Sequence, residues 1–316
     1  MKKLTEVAAA VMLREDGSFL LGQRAANTFY PGYWEFPGGK VEAGETPRDA
    51  LLRELHEELS IEVTEATPWI VREHVYEHAH VRLHFFRVTA WRGELHDRVH
   101  AALIWQRPGE LTVAPLLPAN APVLAALQLP ARYGITHAWQ IGATAQLAAL
   151  ESALLKGLRL VQLREQSMPA LQRQTFTRAA VGLCHVHGAR VLINRDSALA
   201  LASSADGVHL SARQLMTLHE RPALALVAAS CHDRKELEHA ASLGLDFVVL
   251  GPVKPTSTHP GQAGMGWEAF GKLSAGLPLP VYALGGMTAE DSATAEAHGA
   301  QGIAAIRGTW AASPAR

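Results

Sequence analysis

The chain has 316 residues, too many for one ordinary core, so two domains of about 130 and about 180 residues are expected. Apolar residues make up 48% and the formal net charge is −1, which describes a water-soluble globular protein and gives no electrostatic reason to coat nucleic acid. A free nucleotide is still compatible with that balance. The two cysteines, Cys184 and Cys231, lie outside any metal-ligand spacing, and no stretch reaches the ~20 unbroken apolar residues of a membrane span. A reduced cytoplasm is the expected location.

From the start, the basic Lys2-Lys3 is followed at once by Glu6, and the apolar run Val7–Leu13 stops at the turn Glu15-Asp16-Gly17. That pattern predicts a strand entering a hairpin and not a signal peptide. Further strands are expected at Phe19–Gln23, Val71–Tyr76, Val81–Trp91 and around Trp105, all rich in β-branched or aromatic residues. One helix interrupts them. It should begin at Thr46-Pro47, with Thr46 as cap, Pro47 in the first helical position and Asp49 three residues on, and Leu51, Leu52, Leu55 and Leu59 give it an apolar stripe.

On that helix Glu54, Glu57 and Glu58 are spaced i, i+3, i+4, so three carboxylates share one face. A hard divalent cation would neutralise them, and oxygen-only ligands favour Mg²⁺ or Mn²⁺. A solvated acidic face is the bland alternative. It loses weight because Gly38-Gly39, Glu45 and Arg53 fall at fixed offsets from the carboxylates.

The run from Gly39 to Ile61 resembles the Nudix box: Gly, five residues, Glu, seven residues, then Arg-Glu-apolar-any-Glu-Glu-any-Gly-apolar. The one departure is Ser60 in place of the last Gly, which implies a local backbone adjustment but no lost chemistry. The resemblance implies an α/β/α sandwich and hydrolysis of a nucleoside polyphosphate. The Gly38 carbonyl, Glu54, Glu57 and Glu58 would hold the metal, and Arg53 would orient the carboxylates.

Trp34-Glu35-Phe36-Pro37-Gly38-Gly39-Lys40, with Arg24-Ala25-Ala26 upstream and Pro118-Ala119-Asn120 downstream, is similar to the MutT subgroup, the 8-oxo-dGTP diphosphatases. That implies Asn120 as reader of the oxidised guanine edge, Arg24 as a nucleotide contact and Phe36 as the apolar wall of the base pocket. Asn120 as a cap of the following helix and Phe36 as plain core are the alternatives. The subgroup's extra metal-binding Glu falls on Val99, with Asp97, His100 and Glu94 as candidate substitutes.

A Pro- and Ala-rich stretch, Pro108 to Pro130, contains a short helix at Ala121–Leu127 and ends the first domain, which gives domains at 1–129 and 131–316. Beyond it apolar strands alternate with amphipathic helices: Tyr133–Ile135, Leu158–Leu163, Val191–Asn194, Gly207–His209, Leu224–Ala229, Phe247–Leu250, Val281–Ala283 and Gly302–Ala305. Such alternation predicts a (β/α)₈ TIM barrel with its chemistry at the C-terminal strand ends.

Val161-Gln162-Leu163-Arg164-Glu165, Ala205 to Leu210, Leu250-Gly251-Pro252-Val253 with Pro255-Thr256, and Ala283-Leu284-Gly285-Gly286 resemble the thiamine-phosphate synthases and the related TenI proteins. The resemblance implies a phosphorylated small ligand held by Gln162, Arg164 and the N–H groups of Gly285-Gly286, and a proton-shuttling role for His232. Several charges of the synthase pattern are replaced. Its Lys is Gln166, its Asn-Asp pair is Asn194-Arg195 with Asp196 one place on, its second acid falls in Ser211-Ala212-Arg213-Gln214, and a later Lys is His259. The expected outcome is a hydrolase fused to a degenerate barrel. Alternatives are a bifunctional enzyme with an active synthase or tautomerase, a hydrolase of thiamine diphosphate analogues, and a non-catalytic phosphate-binding barrel.

Overall fold

A computed structural model describes residues 3–256 and 263–310; His259 lies outside the described residues. The chain divides into two compact units, residues 1–128 with 275–278 and residues 129–274 with 279–316.

In the first unit β1 (Leu4–Met12), β2 (Phe19–Gln23), β3 (Trp34–Glu35) and β4 (Gly38–Lys40) precede α1 (Pro47–Leu59). Then come β5 (Glu62–Val75), β6 (His80–Arg92), β7 (Ala102–Gln106) and α2 (Ala121–Leu127). One sheet has the order β4-β1-β6-β5 and a smaller one the order β3-β2-β7. The period-2 alternation of β1 sorts its side chains between two layers. Ala8, Ala10 and Met12 pack under α1 with Leu51, Leu55 and Leu59, while Ala9 and Val11 join Phe19, Phe85 and the α2 residues Val123 and Leu124 on the other face. This is the α/β/α sandwich expected from the sequence.

Helix α1 starts as its sequence dictates: Thr46 Oγ1 accepts the Asp49 N–H at 3.2 Å and Pro47 occupies the first turn. It ends at Ser60, which takes the left-handed conformation (φ 60, ψ 29) and donates its N–H to the His56 carbonyl. The backbone thus makes no adjustment for the missing glycine; the serine adopts the glycine geometry. Strand β5 is longer than the expected Val71–Tyr76. Its first half was hidden in the sequence by Pro68, which cannot donate to a ladder, and by register shifts at Val63/Glu65, Glu65/Ala66 and Pro68/Ile70 that break the alternation.

The second unit is a closed barrel of parallel strands: β8 (Arg132–Ile135), β9 (Leu160–Leu163), β10 (Arg190–Asn194), β11 (Gly207–Leu210), β12 (Leu226–Cys231), β13 (Phe247–Leu250), β14 (Val281–Leu284) and β15 (Gly302–Ala305), with β15 returning to β8. Around it lie α3 (Ala138–Ile141), α4 (Ala143–Leu155), α5 (Ala170–Val186), α6 (Ser197–Ala202), α7 (Ala212–Leu215), α8 (Arg234–Ser242), α9 (Gly266–Ser274), α10 (Ser292–Ala297) and α11 (Arg307–Trp310). Tyr133, Phe247 and Tyr282 fill the interior, with ring centroids 5.2 to 5.8 Å apart. Leu160, Leu192, Ala228 and Ala304 complete that core. Strands buried on both faces read as unbroken apolar runs, which is why their positions were legible in the sequence. Among the described residues no helix is long and apolar enough to cross a membrane.

Ser60 carries a side chain in a glycine conformation, and its Oγ is buried with no hydrogen-bond partner among the described residues. Ser60→Gly is expected to stabilise the first unit by about 1 kcal/mol, the left-handed penalty outweighing the extra chain entropy of glycine. Equilibrium denaturation of the two proteins checks it; an equal or lower midpoint for the glycine variant would show the turn to be unstrained.

Candidate functional sites

The acidic face of α1 is organised by one cation. Arg53 Nε and Nη2 donate to the two carboxylate oxygens of Glu45 at 2.7 and 3.0 Å. Its Nη1 donates to Glu54 at 2.9 Å and Glu57 at 3.4 Å, and its Nη2 also donates to the Lys40 carbonyl at 3.1 Å. This fork pushes the Arg53 pKa up and holds the Glu45 carboxyl down at about 2. The loop before the helix, the helix and β4 are thereby tied at one point.

Strand β4 explains the two glycines. Gly38 and Gly39 pair antiparallel with Ala9 and Ala8. A Cβ on Gly38 would stand 2.1 Å from the Ala8 carbonyl oxygen, and one on Gly39 would stand 2.1 Å from the Glu54 carboxyl carbon. The bare strand lets Glu54 and Glu58 lie against it, and the Gly38 N–H donates to Glu58 Oε2 at 3.3 Å. Burial first, then the charge of Glu54, pushes Glu58 up to about 8. Glu57 is 59% exposed and turned toward Arg53. Among the described residues no three ligating side chains already converge on a point, as expected of like charges that repel. The donor set is all oxygen and fits a hard divalent cation, which would lower the pKa of an attacking water and offset charge on phosphate oxygens.

The loop before β7 answers part of the question left by Val99, which is half exposed. Asp97 Oδ1 accepts from the N–H groups of Val99 (3.2 Å) and His100 (2.9 Å) and from His100 Nδ1 (3.2 Å). His100 Nε2 then faces Glu58 Oε2 at 4.0 Å. The ring covers Gly22, where a Cβ would come within 2.2 Å of it, and burial lowers its pKa. Asp97 and His100 therefore approach the carboxylates, whereas Glu94 is almost fully exposed.

The residues expected to meet the nucleotide separate. Arg24 is held by Glu35 at 2.5 Å and by the Phe29 carbonyl at 2.6 Å. Phe36 is 4% exposed and packs between Phe19 and Phe85, each 5.8 Å away, so its ring belongs to the core. Asn120 is 3% exposed, makes no cap hydrogen bond to α2, and its buried Nδ2 has no partner among the described residues. The sequence reading missed an aromatic group beside it. The Tyr76 hydroxyl bonds the Ala119 backbone, and Tyr76 packs with Tyr30 and His78, on which Phe29 stacks at 4.1 Å. The scattered ring residues have no common period, and only the turns that carry them bring them together.

At the barrel mouth a chain of neutral polar groups links the strand ends. Gln162 Nε2 donates to the Tyr133 hydroxyl (3.1 Å), Asn194 Nδ2 to Gln162 Oε1 (3.0 Å), and Gln166 Nε2 to Asn194 Oδ1 (2.5 Å). Arg195 Nη1 closes the chain on Gln166 Oε1 at 2.9 Å. His209 is buried between Tyr133 and Ser230, and burial pushes its pKa down to about 3. His232 is exposed, with Nδ1 donating to the Gly251 carbonyl at 2.7 Å, which leaves Nε2 outward. Gly285 (φ 105) and Gly286 (φ 64) face the loop 252–255, where added Cβ atoms would meet Pro252 at 2.6 Å and the Pro255 carbonyl at 2.9 Å. Asp196 is already engaged, capping α6 through the Leu199 N–H and pairing with Arg173 at 3.0 Å.

A methyl group on Gly39 would displace the Glu54 carboxylate. Gly39→Ala is expected to weaken divalent-cation binding at least ~10-fold with secondary structure intact. Mn²⁺ titration followed by electron paramagnetic resonance measures this, and unchanged affinity would remove Glu54 from the cation site.

The comparisons with known proteins divide the chain in the same way. Residues 3–127 match the family described as NUDIX domain, and residues 132–309 match the family described as Thiamine monophosphate synthase. The first region is 44% identical over 130 residues to the CTP pyrophosphohydrolase of Escherichia coli (strain K12), an alignment covering 39% of this chain and 91% of that protein. It is 42% identical over 97 residues to the 8-oxo-dGTP diphosphatase of Proteus vulgaris, covering 31% of this chain and 87% of that protein. The second region is 36% identical over 168 residues to the thiamine-phosphate synthase of Thioalkalivibrio sulfidiphilus, covering 52% of this chain and 80% of that protein. The chain is a hydrolase that belongs to the Nudix family through its first unit and to the thiamine monophosphate synthase family, TenI proteins included, through its barrel.

Proposed function

We propose that the first unit is a Mg²⁺-dependent hydrolase, able to use Mn²⁺, that converts 8-oxo-dGTP and related oxidised purine nucleoside triphosphates to the monophosphate and pyrophosphate. In the cytoplasm this would remove damaged nucleotides before replication uses them. Gly38, Glu54, Glu57 and Glu58 hold the metal, and Arg53 fixes the carboxylates through the contacts described above. Arg24 and Glu35 border the nucleotide.

The observation that carries the choice of base is the orphaned amide of Asn120. A buried N–H₂ without a partner costs about 1–3 kcal/mol, a cost removed when a ligand accepts from it. Guanine presents two adjacent acceptors, O6 and N7. Oxidation at C8 turns N7 into an N–H donor, so on the O6/N7 edge the oxidised base, and not guanine, satisfies both ends of an amide. Tyr76, adjacent to Asn120, supplies the ring surface in place of Phe36.

One observation favours a second reading. The CTP pyrophosphohydrolase relative is covered over 91% of its length at 44% identity. The donor and acceptor of cytosine could also pair with an amide. A substrate panel of 8-oxo-dGTP, dGTP, CTP and thiamine diphosphate, with pyrophosphate and phosphate release measured on the full chain, separates these readings. Asn120→Ala is expected to erode the preference for 8-oxo-dGTP over dGTP about 10-fold or more while slowing dGTP cleavage little. Equal slowing of both would assign Asn120 to structure, and a preference for CTP in the unaltered chain would replace the purine reading.

For the barrel we infer a phosphorylated small ligand without synthase turnover. Gln166 stands where the synthase pattern has a Lys, Arg195 where it has an Asp and the Ser211–Gln214 turn where it has a second acid, and Gln214 is committed to a capping box with Ser211. The loss of even one transition-state charge partner costs ~10²–10³ in rate. The full chain with both synthase substrates and Mg²⁺ should therefore show at least ~10²-fold less turnover than an ordinary synthase. Comparable turnover, abolished by Arg164→Ala, would make the chain bifunctional.

A further inference from the structure

We propose that the barrel rim where β9 and β10 end is an anion site that works without a metal: the guanidinium groups of Arg164 and Arg195 together hold a phosphoryl dianion. The proposal deepens the reading that the barrel takes a phosphorylated ligand, and adds that this ligand needs no divalent cation.

Strands β9 and β10 run in parallel with Leu163 opposite Ile193, so the residues that follow, Arg164 and Arg195, leave the barrel side by side at its C-terminal end. Arg164 is half-buried; its backbone N–H donates to Thr136 Oγ1 at 3.0 Å, and its guanidinium has no acceptor among the described residues. Arg195 spends one N–H on the neutral Gln166 and has no acid partner among the described residues. Two like charges placed together repel each other, and of the two Arg164 is half-buried while Arg195 is exposed. Burial first, then the Arg195 charge, lowers the Arg164 pKa, and the Glu165 charge opposes them in part.

The acids near this rim make their hydrogen bonds to other donors, and only the charge of Glu165 offsets part of the repulsion at Arg164. Glu165 accepts the Ala138 and Trp139 N–H groups at 2.9 and 3.0 Å. Asp196 caps α6 and pairs with Arg173, and Glu236 accepts the His232 N–H at 2.6 Å. Lys254, a further cation at this end of the barrel, is itself paired with Asp291.

Arg195 is also held in place. Its backbone is left-handed at φ 64, a conformation costly to a residue with a Cβ. Its N–H donates to the His209 carbonyl at 2.8 Å and its carbonyl accepts from Gln214 Nε2 at 2.9 Å. On the side-chain side, the neutral chain through Gln166, Asn194 and Gln162 ends on its guanidinium. A solvated surface arginine needs none of these restraints. Guanidinium forks match phosphate oxygens two at a time, so two of them span one pyrophosphate or both sides of one phosphate monoester.

The test is calorimetric titration of the full chain in excess EDTA, which leaves the carboxylate site of the first unit without a metal. Inorganic pyrophosphate and inorganic phosphate are the probes, and the tighter of the two identifies whether a diphosphate or a monophosphate group is the ligand's handle. Saturable binding is expected in EDTA. Arg164→Gln and Arg195→Gln should each weaken it at least about 10-fold, Arg195→Lys should weaken it less than Arg195→Gln, and Arg132→Gln, at the opposite barrel end, should change it less than about 2-fold. No binding in EDTA, or binding indifferent to both rim substitutions, overturns the proposal. Metal-free binding accompanied by full synthase turnover would instead overturn the reading of a degenerate barrel and leave this site standing.

Discussion

Three carboxylates on one face of a helix can be kept together only where something else carries their charge. In this chain the resident carrier is Arg53, whose five donors are divided among Glu45, Glu54, Glu57 and the Lys40 carbonyl. That division fixes more than a local ion cluster. It joins the loop before α1 to the helix and the helix to β4, and so sets the distance between the acidic face and the bare glycine strand that Glu54 and Glu58 touch. Arg53 bonds both oxygens of Glu45 and one of Glu54 but not Glu58, whose carboxyl is raised first by burial and then by the Glu54 charge. The protein supplies most, not all, of the counter-charge, and a divalent cation is the natural remainder.

The barrel meets the reverse problem. Its interior polar chain is neutral from Tyr133 to Gln166, burial pushes the His209 imidazole toward its neutral form, and every acid at the mouth named above is tied to a backbone N–H or a cation. What is left over is positive. The exchange of a Lys for Gln166 and of an Asp for Arg195 therefore does not simply delete charge: the two replacements touch, and the cation has moved from one strand end to the next. On the reading proposed above, a rim that attracts a metal in the synthase pattern would here repel one.

Much of this was legible in the sequence, for identifiable reasons. The cap at Thr46 and Pro47, the stripe of leucines and the i, i+3, i+4 carboxylates are local patterns, and local patterns survive folding unchanged. The barrel strands were legible because each is buried on both faces and bounded by turn residues. The illegible parts depend on long-range geometry. The first half of β5 contains a proline and bulges, which only its pairing with β6 makes tolerable. Phe36 reads equally as pocket or core until Phe19 and Phe85 are placed on either side of it. The approach of His100 to Glu58 depends on Gly22 lacking a Cβ, a relation across about 80 residues that no spacing rule contains.

The two units thus offer a phosphate two electrostatically opposite surfaces. A carboxylate face binds phosphate only through a cation, so its occupancy follows the free metal concentration and vanishes with chelation. An arginine rim binds phosphate directly and responds to ionic strength instead, because exposed guanidinium groups are screened over a Debye length of about 8 Å at physiological salt. On the readings proposed above, metal and salt are independent controls on the two halves of one chain. Any coupling between them must be sought in a phosphorylated compound that both can hold. Pyrophosphate, the product proposed for the first unit and matched in shape to two guanidinium forks, would meet this condition.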